Sequence, residues 1–355
     1  MASDIDTLLA ETLDDRAGGD IDPAPLMRYA VTRGRRIRRR RALAGGAAFM
    51  VVAILGVATI LLPQMRADPE PAPMAPGTLF TGRRPMLPPA VGLVGAAARP
   101  ELVGTDPRVL HFSVDGLAGT ATQVDWQSSP LVESATVTGD GYRVTVKISY
   151  IEGQLETSFA ASAGVINPAV AVRIGDRTGS MRSSTVPDRD GLTRSTIFWQ
   201  PTDGFSAMVE AWVKTPADAV RVASLVRFDA AQRCALPFTL PSLPKGMAVR
   251  SCYVTLVPTA RGASLVQGGL TARDGRREVD IRTSPAPTTG PSGTALTTGP
   301  YRVHRDSEGD YSTVAKPYLV NVLVVTPAAP LTQTEILGLF AGLRTRGAPT
   351  DPGSW

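Results

Sequence analysis

The chain has 355 residues, of which 43% are hydrophobic and 19% are charged, so it can form two domains and is too apolar for an intrinsically disordered protein. Its formal net charge is +5, but it would be −2 without the seven arginines between positions 33 and 41. This excludes a generally basic protein that coats nucleic acid, because such a protein spreads its positive charge over a domain.

The N-terminal tail, residues 1–41, begins with an acidic amphipathic segment. Ile5, Leu8, Leu9 and Leu13 stand at positions i, i+3, i+4 and i+8, which places them on one face of a helix. So short a tail cannot bury a core alone. Two interpretations stay open: a solvated arm that only sets topology, or a docking segment whose four apolar residues bind a cytoplasmic regulatory protein.

An apolar run follows the tail at once. Residues 42–63 contain no charged side chain, and a helix of that length is about 33 Å long, enough to cross a bilayer. The positive-inside rule then puts residues 1–41 in the cytoplasm and the rest of the chain outside, in a single-pass protein of the inner membrane. The topogenic residues are Arg33, Arg35, Arg36, Arg38, Arg39, Arg40 and Arg41.

This layout of short tail, arginine cluster and apolar run resembles single-pass actinobacterial envelope proteins, among them transmembrane anti-sigma-like regulators with a short cytoplasmic helical segment. The resemblance covers residues 1–63 only. It implies a cytoplasmic partner such as a sigma factor for the acidic helix. The tail departs from the zinc-binding anti-sigma type because it contains no histidine or cysteine.

Residues 64–107 contain nine prolines, which favour an extended backbone and exclude helix and central strand. We therefore expect a stalk that holds a folded region off the bilayer. The apolar stretch AVGLVGAAA within it, residues 90–98, either continues the stalk or packs on the folded region.

From residue 108 onward the sequence is dominated by strand signals. Short runs rich in β-branched and aromatic residues, such as YRVTVKISYI, alternate with turn residues. The pairs Asp140-Gly141, Asp203-Gly204 and Asp274-Gly275 stand beside such runs, as tight antiparallel hairpins require.

Two stretches predict helices. One begins with Thr215 as N-cap and Pro216 at the first position, and the other with Thr332 as N-cap and Glu335 as the partner of a capping box. The predicted fold class is therefore α+β: one transmembrane helix, then an extracytoplasmic, mostly antiparallel β region with two covering helices.

The two strand-helix endings also indicate a tandem duplication. Residues 205–227 and 318–344 each contain a strand, a proline-bearing turn and a helix. We expect two related α+β units at 108–228 and 233–346, followed by a flexible C-terminus at 347–355. The alternative is a coincidence between β-rich segments of biased composition.

The two cysteines fit a hairpin. Cys234 and Cys252 lie on either side of the turn sequence PSLPKG, so that folding back about this turn brings them together. In an extracytoplasmic compartment a disulfide is favoured over two free thiols.

No catalytic, cofactor or metal signature stands out. His111 and His304 are the only histidines, so a multi-histidine metal site is excluded, and His111 is expected to be structural. Ser242 and Lys245 match a Ser-x-x-Lys pattern that a proline between them keeps out of a helix. Asp188 and Asp190 suggest a calcium loop, but the later ligands of such a loop are absent.

The expected function is a non-catalytic binding or scaffolding module of the cell envelope, with no cofactor. Its expected partners are the lipid bilayer and an envelope protein or ligand; nucleic acid is not expected. The alternative is a transmembrane signalling regulator whose cytoplasmic helix binds a partner. A third class is an envelope hydrolase with an unrecognised site.

Overall fold

The computed structural model describes residues 88, 90–151, 153–155, 167–184, 191–259, 262–325 and 329–355. The predicted tail at 1–41, the apolar run at 42–63 and most of the predicted stalk lie outside these residues. No helix in the part of the chain that is described is long and apolar enough to cross a membrane.

The expected α+β fold class is wrong, because the described chain is mostly β, and the described residues contain no counterpart of the expected transmembrane helix. Its strands are β1 (Val109–Leu110), β2 (Ala121–Ser129), β3 (Val132–Gly139), β4 (Tyr142–Ser149), β5 (Val170–Ile174), β6 (Arg177–Ser183), β7 (Thr193–Thr202), β8 (Phe205–Val213), β9 (Gln232–Arg233), β10 (Phe238–Thr239), β11 (Ala248–Thr259), β12 (Gly262–Arg273), β13 (Glu278–Pro285), β14 (Thr294–Thr298), β15 (Tyr301–Arg305), β16 (Tyr311–Ala315), β17 (Tyr318–Val324) and β18 (Arg344–Thr345).

Fourteen of these described strands form one antiparallel sheet in the order β14-β15-β16-β17-β13-β12-β11-β2-β3-β4-β8-β7-β6-β5. The two halves have the same strand pattern outward from the central β2–β11 pair: three strands in chain order, then four in reverse chain order. One half is β2-β3-β4-β8-β7-β6-β5, and the other is β11-β12-β13-β17-β16-β15-β14. The two regions expected as separate α+β units therefore share a single sheet.

Local sequence explains the hairpins of this sheet. Asp140-Gly141 connects β3 to β4, Asp203-Gly204 connects β7 to β8, and Asp274-Gly275 lies between β12 and β13, as predicted. Gly141 and Gly204 have φ values of +72° and +99°, which glycine adopts without steric cost.

Two short α-helices begin where the sequence predicts. Helix α1 is Pro216–Ser224 and helix α2 is Gln333–Gly342. Thr215 and Thr332 cap them, and each cap forms a complete capping box with the residue three positions later. The two predicted helices are confirmed. With nine and ten residues they are a small part of a fold that has a sheet of fourteen strands, so the α+β class is wrong.

The sheet has one apolar face. Along β4, the side chains of Val144, Val146 and Ile148 are fully buried, whereas those of Arg143 and Thr145 on the other face are not. This alternation is the period of two that a strand imposes. The apolar face is covered by α1, α2 and an N-terminal segment, residues 90–117, which we call the N-terminal cover.

The N-terminal cover packs on the domain. The Ala96 N–H donates to the His111 carbonyl and the Ala97 N–H to the Phe228 carbonyl, both at 2.8 Å. Within the cover, Phe112 is fully buried, and its ring centroid lies 6.3 Å from that of Trp126 on β2. The apolar stretch at 90–98 is therefore part of the folded region.

The opposite face of the sheet carries mainly polar side chains, and we call it the polar face. Across neighbouring strands it places Tyr253, Gln127, Ser134 and Lys147 in one continuous row, since each is the direct cross-strand partner of the next. This face carries the cavities described below.

One ionic network ties the β12–β13 turn to α2. The guanidinium of Arg277 donates to Asp274 at 2.6 Å and to Glu335 at 2.7 Å. Asp274 also accepts the backbone N–H groups of Arg277 and Arg276, and these hydrogen bonds, with the guanidinium, lower its pKa to about 2.

This network predicts an acid-sensitive contribution to stability. A carboxylate whose pKa is lowered on folding stabilises the fold above its unfolded pKa of about 3.9 and loses that effect as the pH falls towards 2. In urea titrations, Asp274→Asn should unfold more easily than the wild type at pH 5, and the difference should shrink between pH 4 and pH 2. Asp176→Asn is the control, since Asp176 is exposed and forms no ion pair with the described residues. If the difference in stability between Asp274→Asn and the wild type stayed constant down to pH 2, the lowered pKa of Asp274 would not be its cause.

Candidate functional site

The buried histidine predicted to be structural has a single carboxylate partner. His111 is 2% exposed and Glu133 is fully buried. The Nδ1 of His111 lies 2.7 Å from Glu133 Oε1, and Glu133 also accepts the backbone N–H groups of His111 and Gly104. Glu133 therefore fastens the N-terminal cover to β3, and both side chains are engaged in holding the fold.

The other residues that the sequence offered as catalytic or metal-binding candidates do not lie together in the described part of the chain. His304 lies on β15 in one half of the sheet, whereas His111 lies in the N-terminal cover and contacts Glu133 on β3 in the other half. Ser242 and Lys245 stand in the non-helical connection between β10 and β11, as the proline between them predicts. Asp188 and Asp190 lie outside the described residues. So do the topogenic arginines and the partner-binding residues Ile5, Leu8, Leu9 and Leu13, and their roles stay predictions.

The structure contains the predicted disulfide between Cys234 and Cys252. Both cysteines are buried. Cys252 is on β11, where it pairs with Ser128 of β2, so the bond fastens the chain just after β9 to the central pair of the sheet.

A cavity of about 570 Å³ opens beside β7 and β8, and we call it the aromatic cavity. Its size lies within the range of small-molecule sites, roughly 300 to 1,000 Å³. Aromatic and uncharged polar side chains predominate in its lining. The aromatic ones are Tyr150, Phe198, Trp199 and Phe205, and the polar ones are Ser180, Gln200 and Ser206.

Local structure explains the shape of the aromatic cavity. Leu155 packs on Met208 and Phe198, which raises a wall on the sheet surface. Strand β7 is irregular between Trp199 and Thr202, and such irregularities bend a strand locally. Tyr150 is 44% exposed, so its ring stands at the mouth and is accessible to a ligand.

A second, smaller cavity of about 240 Å³ lies at the centre of the polar face, on β11, β2 and β3. We call it the polar groove. Hydroxyl, amide and carboxylate groups line it, from Asp125, Gln127, Ser134, Thr136, Tyr253 and Thr255. The Thr255 hydroxyl donates to Asp125 across the β11–β2 pair at 2.7 Å.

Tyr253 lies flat across the sheet beside the polar groove. Its hydroxyl donates to Asp280, two strands away on β13, at 3.0 Å. The intervening residue on β12 is Gly269, where a Cβ atom would lie 2.5 Å from the tyrosine oxygen. Only glycine leaves room for the ring in this position.

Neighbouring charged residues also hold the Tyr253 hydroxyl in place. Arg282 donates to Asp280 at 2.6 Å, and Asp280 is buried. Burial raises the pKa of the Tyr253 hydroxyl well above its ordinary value, and the negative charge of Asp280 adds to this effect. The hydroxyl therefore stays protonated and keeps donating to Asp280.

Sequence reasoning missed both cavities. Tyr253 and Phe198 stand in β-rich runs of the sequence, and nothing in the spacing of the lining residues sets them apart. One signal was present: Gly268 and Gly269 stand together inside a strand pattern, and glycine there marks a close approach of another group.

Three acidic side chains form the one carboxylate cluster of metal-binding size in the described residues. Oxygen atoms of Asp306, Glu308 and Asp310, in the β15–β16 turn, lie within 4.8 Å of one another. Asp306 accepts the backbone N–H groups of Glu308 and Asp310 at 2.8 and 3.0 Å, which is the geometry of a turn held by its first aspartate.

No protein-family model matches the chain, and no curated protein matches it in sequence. Among solved structures, the crystal structure of MucB in complex with MucA(peri) is 12% identical, with 64% of this chain and 93% of that chain covered and a TM-score of 0.21. The Pseudomonas aeruginosa MucA/MucB complex is 12% identical, with 71% and 99% covered and a TM-score of 0.20. TP0453 is 9% identical, with 59% and 79% covered and a TM-score of 0.25. At such scores the likeness carries no argument about fold or function.

The disulfide should contribute measurably to stability. A bridge across a loop of this length stabilises by about 3 kcal/mol on the chain-entropy model, so the double variant Cys234→Ala, Cys252→Ala should lose about that much free energy of unfolding in urea. Dithiothreitol should lower the stability of the wild type and leave the variant unchanged. Equal stability of the two proteins without reductant would show that the bond does not form.

Proposed function

We propose that the described domain is a non-catalytic binding module of the cell envelope that holds its ligand in the aromatic cavity. The observation that carries this proposal is a cavity of about 570 Å³ lined by exposed and half-buried rings together with uncharged hydrogen-bonding groups. Such a lining suits a ligand, or a protruding part of an envelope partner, that has an apolar ring or chain and at least one polar group.

Four side chains of the types that perform nucleophilic or acid–base chemistry are engaged in the fold and lie outside the aromatic cavity. His111 and Glu133 are paired in the core, and Cys234 and Cys252 are bonded to each other. The described lining of the aromatic cavity contains no histidine, lysine or carboxylate that could activate the hydroxyl of Ser180 or Ser206. The distant likeness to MucB and TP0453 is compatible with a binding module but adds no weight to it.

We also propose that the module works on the outer side of the inner membrane, with residues 1–41 in the cytoplasm. The arginine cluster before the uncharged run at 42–63 supports this orientation. The Cys234–Cys252 disulfide supports it independently, because structural disulfides persist in oxidising compartments.

A large side chain placed in the aromatic cavity should weaken the binding of a small-molecule probe. The probe is 1-anilinonaphthalene-8-sulfonate, which combines apolar rings with a polar group, and its fluorescence should rise saturably with the native wild-type protein. Ser180→Trp, which places a large ring in the cavity, should weaken this binding at least tenfold.

The control is Val91→Trp, which adds the same ring on an exposed turn of the N-terminal cover, where Val91 is 87% exposed. It should bind the probe like the wild type. Undiminished binding by a natively folded Ser180→Trp protein would remove the aromatic cavity as the ligand site.

A reporter fusion tests the location. Alkaline phosphatase joined after Trp355 should be active in intact cells, because the enzyme requires disulfides that form outside the cytoplasm. The same fusion to residues 88–355 alone should be inactive. Activity of a cytoplasmic reporter at the same junction, with no phosphatase activity, would reverse the proposed orientation.

A further inference from the structure

We propose a second binding site on the polar face, for an oligosaccharide of two or three sugar rings, formed by the ring of Tyr253 and the side chains of Gln127, Ser134 and Lys147. It goes beyond the proposed function, since it lies on other strands than the aromatic cavity and takes a different class of ligand.

Tyr253 supplies a fixed stacking surface. Its ring lies over Gly269 and its hydroxyl is anchored by Asp280, so one face is turned to the sheet, while the residue as a whole stays half-buried at the polar groove. The C–H groups of a sugar ring pack on an aromatic face, whose partial charge is negative. Because the ring is already held in place, binding does not have to immobilise it.

A row of polar groups continues from this ring. Gln127 is the cross-strand partner of Tyr253, Ser134 that of Gln127, and Lys147 that of Ser134. With neighbouring strands about 4.8 Å apart, the row from Tyr253 to Lys147 extends roughly 14 Å, which is the length of two or three linked sugar rings.

The three polar side chains of this row are available. Within the described residues, Gln127, Ser134 and Lys147 form no side-chain hydrogen bond or ion pair. The adjacent row is satisfied internally: Thr136 pairs with Thr145 at 3.0 Å. An amide, a hydroxyl and an ammonium together offer both donors and acceptors, as sugar hydroxyls require.

Other classes of ligand fit less well. Strands β11, β2, β3 and β4 are each paired on both sides, so a peptide cannot add to them as a further strand. The charge of Asp280 is neutralised by its ion pair with Arg282, and Lys147 is the one cation of the row, so the surface lacks the run of positive charge that a polyanion such as nucleic acid requires. A mostly uncharged ligand rich in hydroxyl groups meets neither obstacle.

The test is calorimetric titration of the purified full chain with three uncharged saccharides: cellotriose, triacetylchitotriose and maltotriose. At least one should bind. Tyr253→Leu should weaken that binding about tenfold, and Gln127→Ala and Lys147→Ala should each weaken it about threefold. Ser312→Ala, on the same face in the other half of the sheet, is the matched control and should bind like the wild type.

Separate outcomes distinguish this proposal from the previous one. Ser180→Trp should retain saccharide binding, so loss there would assign the sugar to the aromatic cavity and overturn the second site. The proposal also fails if none of the three saccharides binds, or if Tyr253→Leu keeps full affinity. Should Tyr253→Leu not melt like the wild type, the double variant Gln127→Ala, Lys147→Ala decides in its place.

Discussion

The antiparallel pairing of β2 with β11 is the contact on which the rest of the fold depends. Across it, Trp126 is opposite Val254 on the apolar side, and Asp125 accepts the Thr255 hydroxyl on the polar side. This one pairing joins two seven-stranded halves that contact each other at no other strand pair of the described sheet. The disulfide at Cys252 reinforces it from the chain segment after β9.

The continuous sheet also separates two kinds of surface. Its apolar face has to be covered, and the N-terminal cover, α1 and α2 together do this, with the buried pair of His111 and Glu133 fixing the cover in place. The polar face is left to make contacts of other kinds. The aromatic cavity forms where Leu155 packs on it, and the polar groove lies on β11, β2 and β3 beside Tyr253.

Several local features could be predicted from sequence because they depend on neighbouring residues. The capping boxes at Thr215 and Thr332 need only the residue three positions later, and the Asp-Gly hairpins need only their own backbone preference. The pairing of Cys234 with Cys252 followed from a turn midway between them. The arrangement of the functional groups could not be predicted in this way, because Tyr253, Gly269 and Asp280 are on three different strands and no spacing in the chain relates them.

The sequence by itself therefore determined the predominance of strands after residue 108, the three Asp-Gly turns and the starts of the two helices. Only the tertiary structure decided that the two halves share one sheet of fourteen strands, beside which the two short helices are a minor part. It also decided which polar residues come together, because strand pairing brings residues that are far apart in the chain to about 5 Å from one another. Cross-strand partners such as Tyr253 and Gln127 are set by register, and register depends on the packing of the whole apolar face.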